Sequence, residues 1–204
     1  MREDNNGVTY SLDVCRRCKD GCCQDAKPPL TEERKKIIRE YLARQEVRVR
    51  NPFAKASYSY PKVDELLFCG FLDKKTGKCL VHPVKPETCR AGPVTFDINF
   101  CERKIEWFLK KSEICEYAAS LYLNKEAFKK HFEVAKEQLT RLICELDIEE
   151  LRTIVMIDEP NTFKIGEDDL PREVVGKLDK KSFQSLQESL GGATVAKTFC
   201  FRKL

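Results

Sequence analysis

Cys15-Arg-Arg-Cys18-Lys-Asp-Gly21-Cys22-Cys23 places four thiols within nine positions near the start of the chain. Free cysteines that fill a hydrophobic core scatter along apolar faces, but most neighbours of these four are charged. Short Cys-x2-Cys and Cys-x3-Cys spacings let several sulfur atoms converge on one centre, as metal sites require. Gly21 can adopt the positive φ that a tight ligand loop needs. The stretch therefore predicts a metal site.

The composition indicates a soluble globular protein. The chain has 204 residues, 42% of them hydrophobic, and a net charge of +4, which is too small to argue for nucleic acid. That length can form one domain, or a domain with an appended lobe. No apolar run approaches the roughly 20 residues of a membrane span, and residues 1–7 lack a signal-peptide core. We therefore expect a cytoplasmic protein, in which eleven cysteines favour metal ligation over disulfides.

A second group of cysteines follows at regular intervals. Nine residues separate Cys69 from Cys79, and nine separate Cys79 from Cys89. Thr76-Gly77 is typical of a turn between two short strands. Three prolines exclude a long helix here and stiffen the loop: Pro83, Pro86 and Pro93. A stiff loop would hold Cys79 and Cys89 in place before a metal binds.

The order of these motifs resembles the YkgJ-type cysteine-cluster family, whose members are described as zinc- or iron-chelating domains. The shared pattern is Cys-x2-Cys…Cys-Cys, then Cys-x-Phe-Leu, Cys-x-Val-His and Cys-Arg-x-x-Pro, and it covers residues 14–96. The chain departs from the family pattern at three points. Three residues, rather than the usual two, separate Cys18 from Cys22. Lys85 stands where the family commonly has arginine, and Gly92 stands where it commonly has an aromatic residue. A related cysteine-rich segment occurs in a flagellin lysine methylase thought to need an iron–sulfur cluster.

The resemblance implies seven candidate metal ligands: Cys15, Cys18, Cys22, Cys23, Cys69, Cys79 and Cys89. Four thiolates already give one Zn²⁺ or one [4Fe–4S]²⁺ core a net charge of −2, so seven on one centre are disfavoured. Either four bind and three remain thiols, or two centres share the set. Four basic neighbours could offset the charge and tune a reduction potential: Arg16, Arg17, Lys85 and Arg90.

The spacing leaves two cofactors open. A structural zinc site usually has two separated Cys-x2-Cys pairs, and the chain contains one, Cys15 and Cys18. Three closely spaced cysteines with a distant fourth are more typical of iron–sulfur ligation, which favours a [4Fe–4S] cluster over zinc. In either case His82 could replace one thiolate.

The predicted fold is α+β and mainly helical. Residues 1–96 are expected to form a metal-binding region of loops and short strands around the centre, with one helix that Thr31 caps. Residues 97–204 are expected to form a mainly helical region packed on it. Strands are also predicted near the two ends of the chain, over residues 8–14 and 195–201.

Apolar periodicity predicts the helices of the second half. Residues 97–117 carry apolar side chains at spacings of three and four, and residues 124–146 form one apolar stripe. Asp147 and Glu150 form a capping pair for a short segment that could equally be a strand. A last helix is predicted over residues 180–190, before two glycines.

The remaining cysteines and histidine are expected to be structural. Four cysteines have helix or strand neighbours and are predicted to fill the core: Cys101, Cys115, Cys144 and Cys200. His131 is expected on the surface of the long helix. Basic and aromatic residues alternate over residues 46–63, a composition that can bind single-stranded nucleic acid. Without a stacking fold, we expect instead a loop whose aromatic rings lie on the body of the protein.

The function that these predictions favour is metal binding through an iron–sulfur cluster or zinc. The role would be electron transfer or structural support, with an unidentified protein or redox partner and no membrane. No catalytic residue is assigned, because the sequence lacks a phosphate-binding glycine loop, a Gly-x-Ser-x-Gly elbow and a His-Glu-x-x-His motif. Two alternatives stay open: a protein-modifying enzyme like the lysine methylase, and a redox sensor with exposed thiols of low pKa.

Overall fold

The computed structural model of the chain describes residues 22–24, 26–159 and 161–179. The helices are α1 (Glu32–Arg44), α2 (Glu87–Ala91), α3 (Glu116–Leu123), α4 (Lys125–Glu145) and α5 (Ile148–Val155), with a 3₁₀ helix at His82–Val84 and further helical turns over residues 172–179. The strands are β1 (Phe53–Lys55), β2 (Ser59–Pro61), β3 (Leu72–Asp73), β4 (Lys78–Cys79), β5 (Val94–Asn99), β6 (Lys104–Lys110) and β7 (Thr162–Asp169). The strands pair as β1-β2, β3-β4 and β5-β6-β7. The α+β class is as predicted.

Helix α1 begins where the sequence predicts. The Thr31 hydroxyl accepts a hydrogen bond from the Arg34 amide at 3.1 Å, and Glu32 and Glu33 lie in the first turn, where the helix dipole favours acids. The inner face of α1 joins a small apolar core, here called the N-terminal cluster: Leu30, Ile38, Leu42, Phe71 and Val81. This cluster supports the loops that carry the second group of cysteines.

The helix predicted over residues 97–117 is wrong, because β5 and β6 form an antiparallel hairpin there. Val94 pairs with Leu109 at one end of the hairpin, and Asn99 pairs with Lys104 at the other. Along β6, buried and partly buried side chains alternate with a period of two, which is the strand pattern. The spacing of the apolar residues in the sequence fits both a helix and a strand, and backbone pairing within the sheet decides between the two.

Strand β7 completes the three-stranded sheet and was not predicted. It pairs antiparallel with β6, with an irregular register next to Trp107. Its exposed face carries charged residues, among them Lys164, which lies 2.8 Å from Glu106 and 2.6 Å from Glu167. A strand so rich in charge lacks the apolar alternation by which strands are recognised.

The long helix α4 is confirmed. Asn124 accepts a hydrogen bond from the Ala127 amide at 3.0 Å and caps it. Its apolar stripe enters the larger core, here called the C-terminal cluster, whose largest members are Ile105, Trp107, Leu109, Leu139, Leu142, Ile143, Leu146 and Leu151. Asp147 and Glu150 form the predicted capping box, and the segment that follows is helix α5 rather than a strand.

The aromatic residues between α1 and β3 lie on the body of the protein, as expected. Tyr58 is buried, and its hydroxyl donates to the Lys27 carbonyl at 3.1 Å. Phe53 contacts Phe71 of the N-terminal cluster edge to face, with ring centroids 6.0 Å apart. Rings used in this way are not free to stack on bases.

Several predictions concern parts of the chain outside the described residues, namely the strands over 8–14 and 195–201 and the helix over 180–190. The predicted boundary between residues 96 and 97 falls inside β5, and the division into two regions stays a prediction. Among the described residues, no helix has both the length and the apolar character needed to cross a bilayer.

Candidate metal site

Five of the seven candidate ligands are within the described part of the chain, and all five carry free thiols: Cys22, Cys23, Cys69, Cys79 and Cys89. Cys15 and Cys18 lie outside it. Cys22 and Cys89 are exposed, whereas Cys23, Cys69 and Cys79 are partly buried. The candidate site is therefore shallow, with thiols both at the surface and against the apolar core.

Backbone pairing joins the first cysteine group to the second. The Cys69 amide donates to the Cys23 carbonyl at 2.8 Å, and Gln24 forms an isolated antiparallel bridge with Phe68. Forty-six positions of sequence separate Cys23 from Cys69, so this contact closes a long loop. It brings the end of the opening cysteine stretch against the start of the second group.

The β3-β4 hairpin connects Cys69 with Cys79. The Cys69 carbonyl accepts a bond from the Leu72 amide at 2.8 Å, and Leu72 pairs with Cys79 across the hairpin. The predicted Thr76-Gly77 turn is confirmed: Gly77 has φ +65°, and its amide donates to the Asp73 carbonyl at 2.8 Å. Cys69 and Cys79 both pack against the N-terminal cluster, so the hairpin holds two thiols in a fixed relation.

We expect Gly70→Ala to destabilise the metal-free protein by about 1–3 kcal/mol, because an added methyl group has no room. A Cβ atom at this position would lie 2.8 Å from the Lys62 carbonyl oxygen, which is backbone, and the Gly70 amide already donates to that oxygen at 2.7 Å. Urea unfolding followed by circular dichroism measures the change. Gly176→Ala is the matched control, since its Cβ would meet nothing within 4 Å. Equal stability of the two variants would contradict the close approach at Gly70.

Cys89 lies in the middle of the short helix α2, which is anchored at both ends. At its start, Glu87 is buried and accepts from Arg34 of α1 at 2.7 Å and from Arg141 of α4 at 3.2 Å. At its end, the Ala91 carbonyl accepts a hydrogen bond from His131 Nε2 of α4 at 2.9 Å. The sequence indicates neither anchor, because the partners are far apart along the chain.

The surface position predicted for His131 is wrong. Its side chain is 3% exposed and packs edge to face against Tyr117, with ring centroids 5.5 Å apart. Burial lowers its pKa, so the neutral ring donates through Nε2 to α2. The residue lies on the inner face of α4 because the apolar stripe of that helix is wider than the sequence suggests.

The ionisation of Cys22 and Cys23 is linked, and thiols of the second cysteine group affect it. A hydrogen bond with the Cys23 thiol, helped by the charges of Lys85 and Lys110, lowers the pKa of Cys22 to about 6. The same hydrogen bond raises the pKa of Cys23, and burial and the negative charges of Cys22, Cys89 and Cys79 raise it further. Thiols from three separate segments therefore act electrostatically on Cys23.

Three other candidate ligands, Cys69, Cys79 and Cys89, also have raised pKa values, with burial as the main cause. Burial raises the pKa of Cys69 to about 11, with smaller contributions from the charges of Cys79 and Cys22. Burial is also the main cause of the raised pKa of Cys79. At neutral pH the described part of the site thus combines a thiolate at Cys22 with protonated thiols that a bound cation would have to deprotonate.

The described residues do not by themselves complete a metal site. Within residues 22–24, 26–159 and 161–179, no three His, Cys, Asp or Glu side chains are arranged so that they could hold a metal ion. An all-sulfur donor set nevertheless suits zinc or an iron–sulfur cluster and does not suit Mg²⁺ or Ca²⁺. His82 lies at the start of the 3₁₀ helix after β4, and its role as a replacement ligand stays a prediction.

The core-filling role predicted for Cys101 is wrong. Cys101 is exposed in the turn between β5 and β6, and it is disulfide-bonded. A residue at the tip of a hairpin cannot reach the core beneath the sheet. Cys115 and Cys144 do pack, partly buried, against the C-terminal cluster, as predicted, and Cys200 lies outside the described residues.

The protein is a small α+β protein, and the described thiols of its two cysteine groups form a sulfur-rich candidate site at the surface. Residues 14–116, half of the chain, match the family CxxCxxCC, which is described as "Putative zinc- or iron-chelating domain". The protein belongs to this family, and the resemblance noted from its motifs is confirmed. No curated protein and no solved structure gives a significant match.

Proposed function

We propose that this protein binds a [4Fe–4S] cluster through thiolates drawn from Cys15, Cys18, Cys22, Cys23, Cys69, Cys79 and Cys89. The observation that carries the proposal is the approach of the first cysteine group to the second, through the backbone bond between Cys69 and Cys23 and the mutual effect of the thiols on their pKa values. Membership of a zinc- or iron-chelating family supports metal binding, and the cysteine spacing favours the cluster over zinc.

The charges around the thiols fit an anionic centre. A cluster or zinc ion with four thiolates carries excess negative charge, which nearby cations stabilise. Lys85 and Lys110 already lower the pKa of Cys22, so their positive charges act on the site itself. The same cations would raise the reduction potential of a bound cluster.

An electron-transfer role is favoured by the shallow position of the site. Cys22 and Cys89 are exposed, so a protein redox partner could approach the centre without a rearrangement of the fold. We place the protein in the cytoplasm, since seven of the eight described cysteines are free thiols, which suits a reducing compartment, while the disulfide of Cys101 is of a kind that is rare there. Cys101, which is disulfide-bonded, does not belong to the candidate ligand set.

Purification without oxygen tests the cofactor directly. The expected result is a brown protein with broad absorption near ~400 nm that contains iron and acid-labile sulfide. A colourless protein with one equivalent of zinc would replace the cluster with a structural zinc site. Protein that contains no metal, and that takes up neither zinc nor an iron–sulfur cluster under reducing conditions, would refute metal binding altogether.

Zinc affinity is expected to rise steeply with pH. The raised pKa values of Cys69 and Cys79 mean that these thiols are protonated in the metal-free protein at pH 7, so binding through both releases two protons. The apparent association constant should then increase at least about 100-fold per pH unit around neutral pH. Competition with a chelator of known affinity, at several pH values, measures the slope. An affinity independent of pH would exclude both thiols as ligands.

A further inference from the structure

Glu87 is a buried carboxylate that two arginines from different helices contact. It is 1% exposed. Arg34 of α1, itself 4% exposed, reaches its Oε1 through Nε at 2.7 Å and Nη2 at 2.6 Å. Arg141 of α4, which is half-exposed, reaches the same oxygen through Nη2 at 3.2 Å. One carboxylate oxygen thus joins three helices.

The three helices belong to the two sides of the candidate site. Helix α1 is part of the N-terminal cluster, against which Cys69 and Cys79 pack. Helix α4 is part of the C-terminal cluster. Helix α2, which carries Cys89, lies between them, and His131 of α4 holds its other end through the Ala91 carbonyl. The ion network therefore joins the helix that carries Cys89 to helices of both clusters.

A buried ion network is often not the most stable way to join helices. Removing a carboxylate and a guanidinium from water is costly, and apolar side chains of similar size often do better. Both arginines approach Oε1, while Oε2 of Glu87 is buried and has no hydrogen-bond partner among the described residues. Directional hydrogen bonds define the distance and orientation of the groups that they join, whereas apolar contacts do not.

We infer that Arg34, Glu87 and Arg141 are positioning residues that hold helix α2, and with it Cys89, in its place relative to Cys69 and Cys79 and so support metal binding. This inference rests on the proposed metal-binding function. It assigns the network to metal affinity rather than to the stability of the fold alone. Residues that orient metal ligands in this way typically change the affinity about 10- to 100-fold when they are replaced.

The test uses Co²⁺, whose visible and thiolate charge-transfer bands report the number and geometry of its sulfur ligands. Glu87→Gln keeps the shape of the side chain and removes its charge. We expect it to bind Co²⁺ about 10- to 100-fold more weakly than the unmodified protein, with altered band intensities. Glu145→Gln is the matched control, because Glu145 also faces Arg141, at 3.8 Å, but lies on α4 and not on α2. This control should have unchanged affinity and spectrum.

A second variant covers the case in which Glu87→Gln does not fold, as judged by circular dichroism. Arg141→Gln removes the half-exposed arginine and leaves Arg34 in place, and it should weaken Co²⁺ binding several-fold with a shifted spectrum. Variants that fold and bind Co²⁺ with the affinity and spectrum of the unmodified protein would overturn the positioning role. If the unmodified protein binds neither Co²⁺ nor an iron–sulfur cluster, the proposed metal-binding function fails, which is a different outcome.

Discussion

Replacing Cys79 with serine is expected to lower metal affinity about 10²- to 10³-fold, because one of four thiolates contributes roughly a quarter of the binding free energy of such a site. Cys79 is the thiol best supported as a ligand by its position. It is paired with Leu72 in the same hairpin that begins at Cys69, and its charge acts on both Cys23 and Cys69. Metal analysis of the purified variant, followed by chelator competition, measures the loss.

The control for this variant is Cys144→Ser. Cys144 also carries a free, partly buried thiol, but it packs against the C-terminal cluster. Its replacement should leave the metal content unchanged. If the Cys79 variant keeps the full metal content and affinity, Cys79 is one of the surplus thiols, and the centre is formed without the β3-β4 hairpin.

Replacing Trp107 with alanine is expected to destabilise the protein by about 3–5 kcal/mol. Trp107 is 1% exposed at the centre of β6, and its indole N–H donates to Asp168 Oδ2 of β7 at 2.7 Å. Its ring also packs edge to face against Phe132 of α4, with centroids 6.4 Å apart. The variant thus loses apolar burial, a hydrogen bond and a ring contact between the sheet and α4. Urea unfolding followed by circular dichroism measures the difference.

Phe163→Ala is the matched control for Trp107→Ala. Phe163 is an aromatic residue of the same sheet, but it is 37% exposed, so its loss should cost less than about 1 kcal/mol. Metal release during the same titration adds a second readout. Because Glu87 bonds to helices on both sides of the molecule, we expect the metal to be released in the same transition as unfolding of the sheet. Similar losses of stability in the two variants would contradict the core position of Trp107.

Local signals in the sequence were enough to predict the helix ends. Thr31 and Asn124 each cap the helix that follows them, and Asp147 with Glu150 forms a complete capping box. Each of these features depends on residues within four positions of one another. The Thr76-Gly77 turn is of the same kind, because a positive φ at one glycine is a local requirement.

Longer-range pairing was not predictable in the same way. The apolar residues between Ile98 and Leu109 fit a helical period, yet the segment is a hairpin because β7, more than fifty positions away, pairs with β6. His131 is buried because α2 lies against it and offers the Ala91 carbonyl. Cys101 is exposed because the hairpin turns at that point. The errors for His131 and for the strand-forming residues concern positions whose environment is set by a distant part of the chain, whereas Cys101 is exposed by the local turn.

The sequence alone determined the family, the candidate ligands and the sulfur chemistry of the site, because ligand identity and spacing are properties of the chain itself. Only the tertiary structure decided how the two cysteine groups meet and how Cys89 is anchored. The bond between Cys69 and Cys23, and the contact of Glu87 with Arg34 and Arg141, join residues more than forty positions apart. Such contacts form when apolar burial packs the helices and loops together, which no local pattern records.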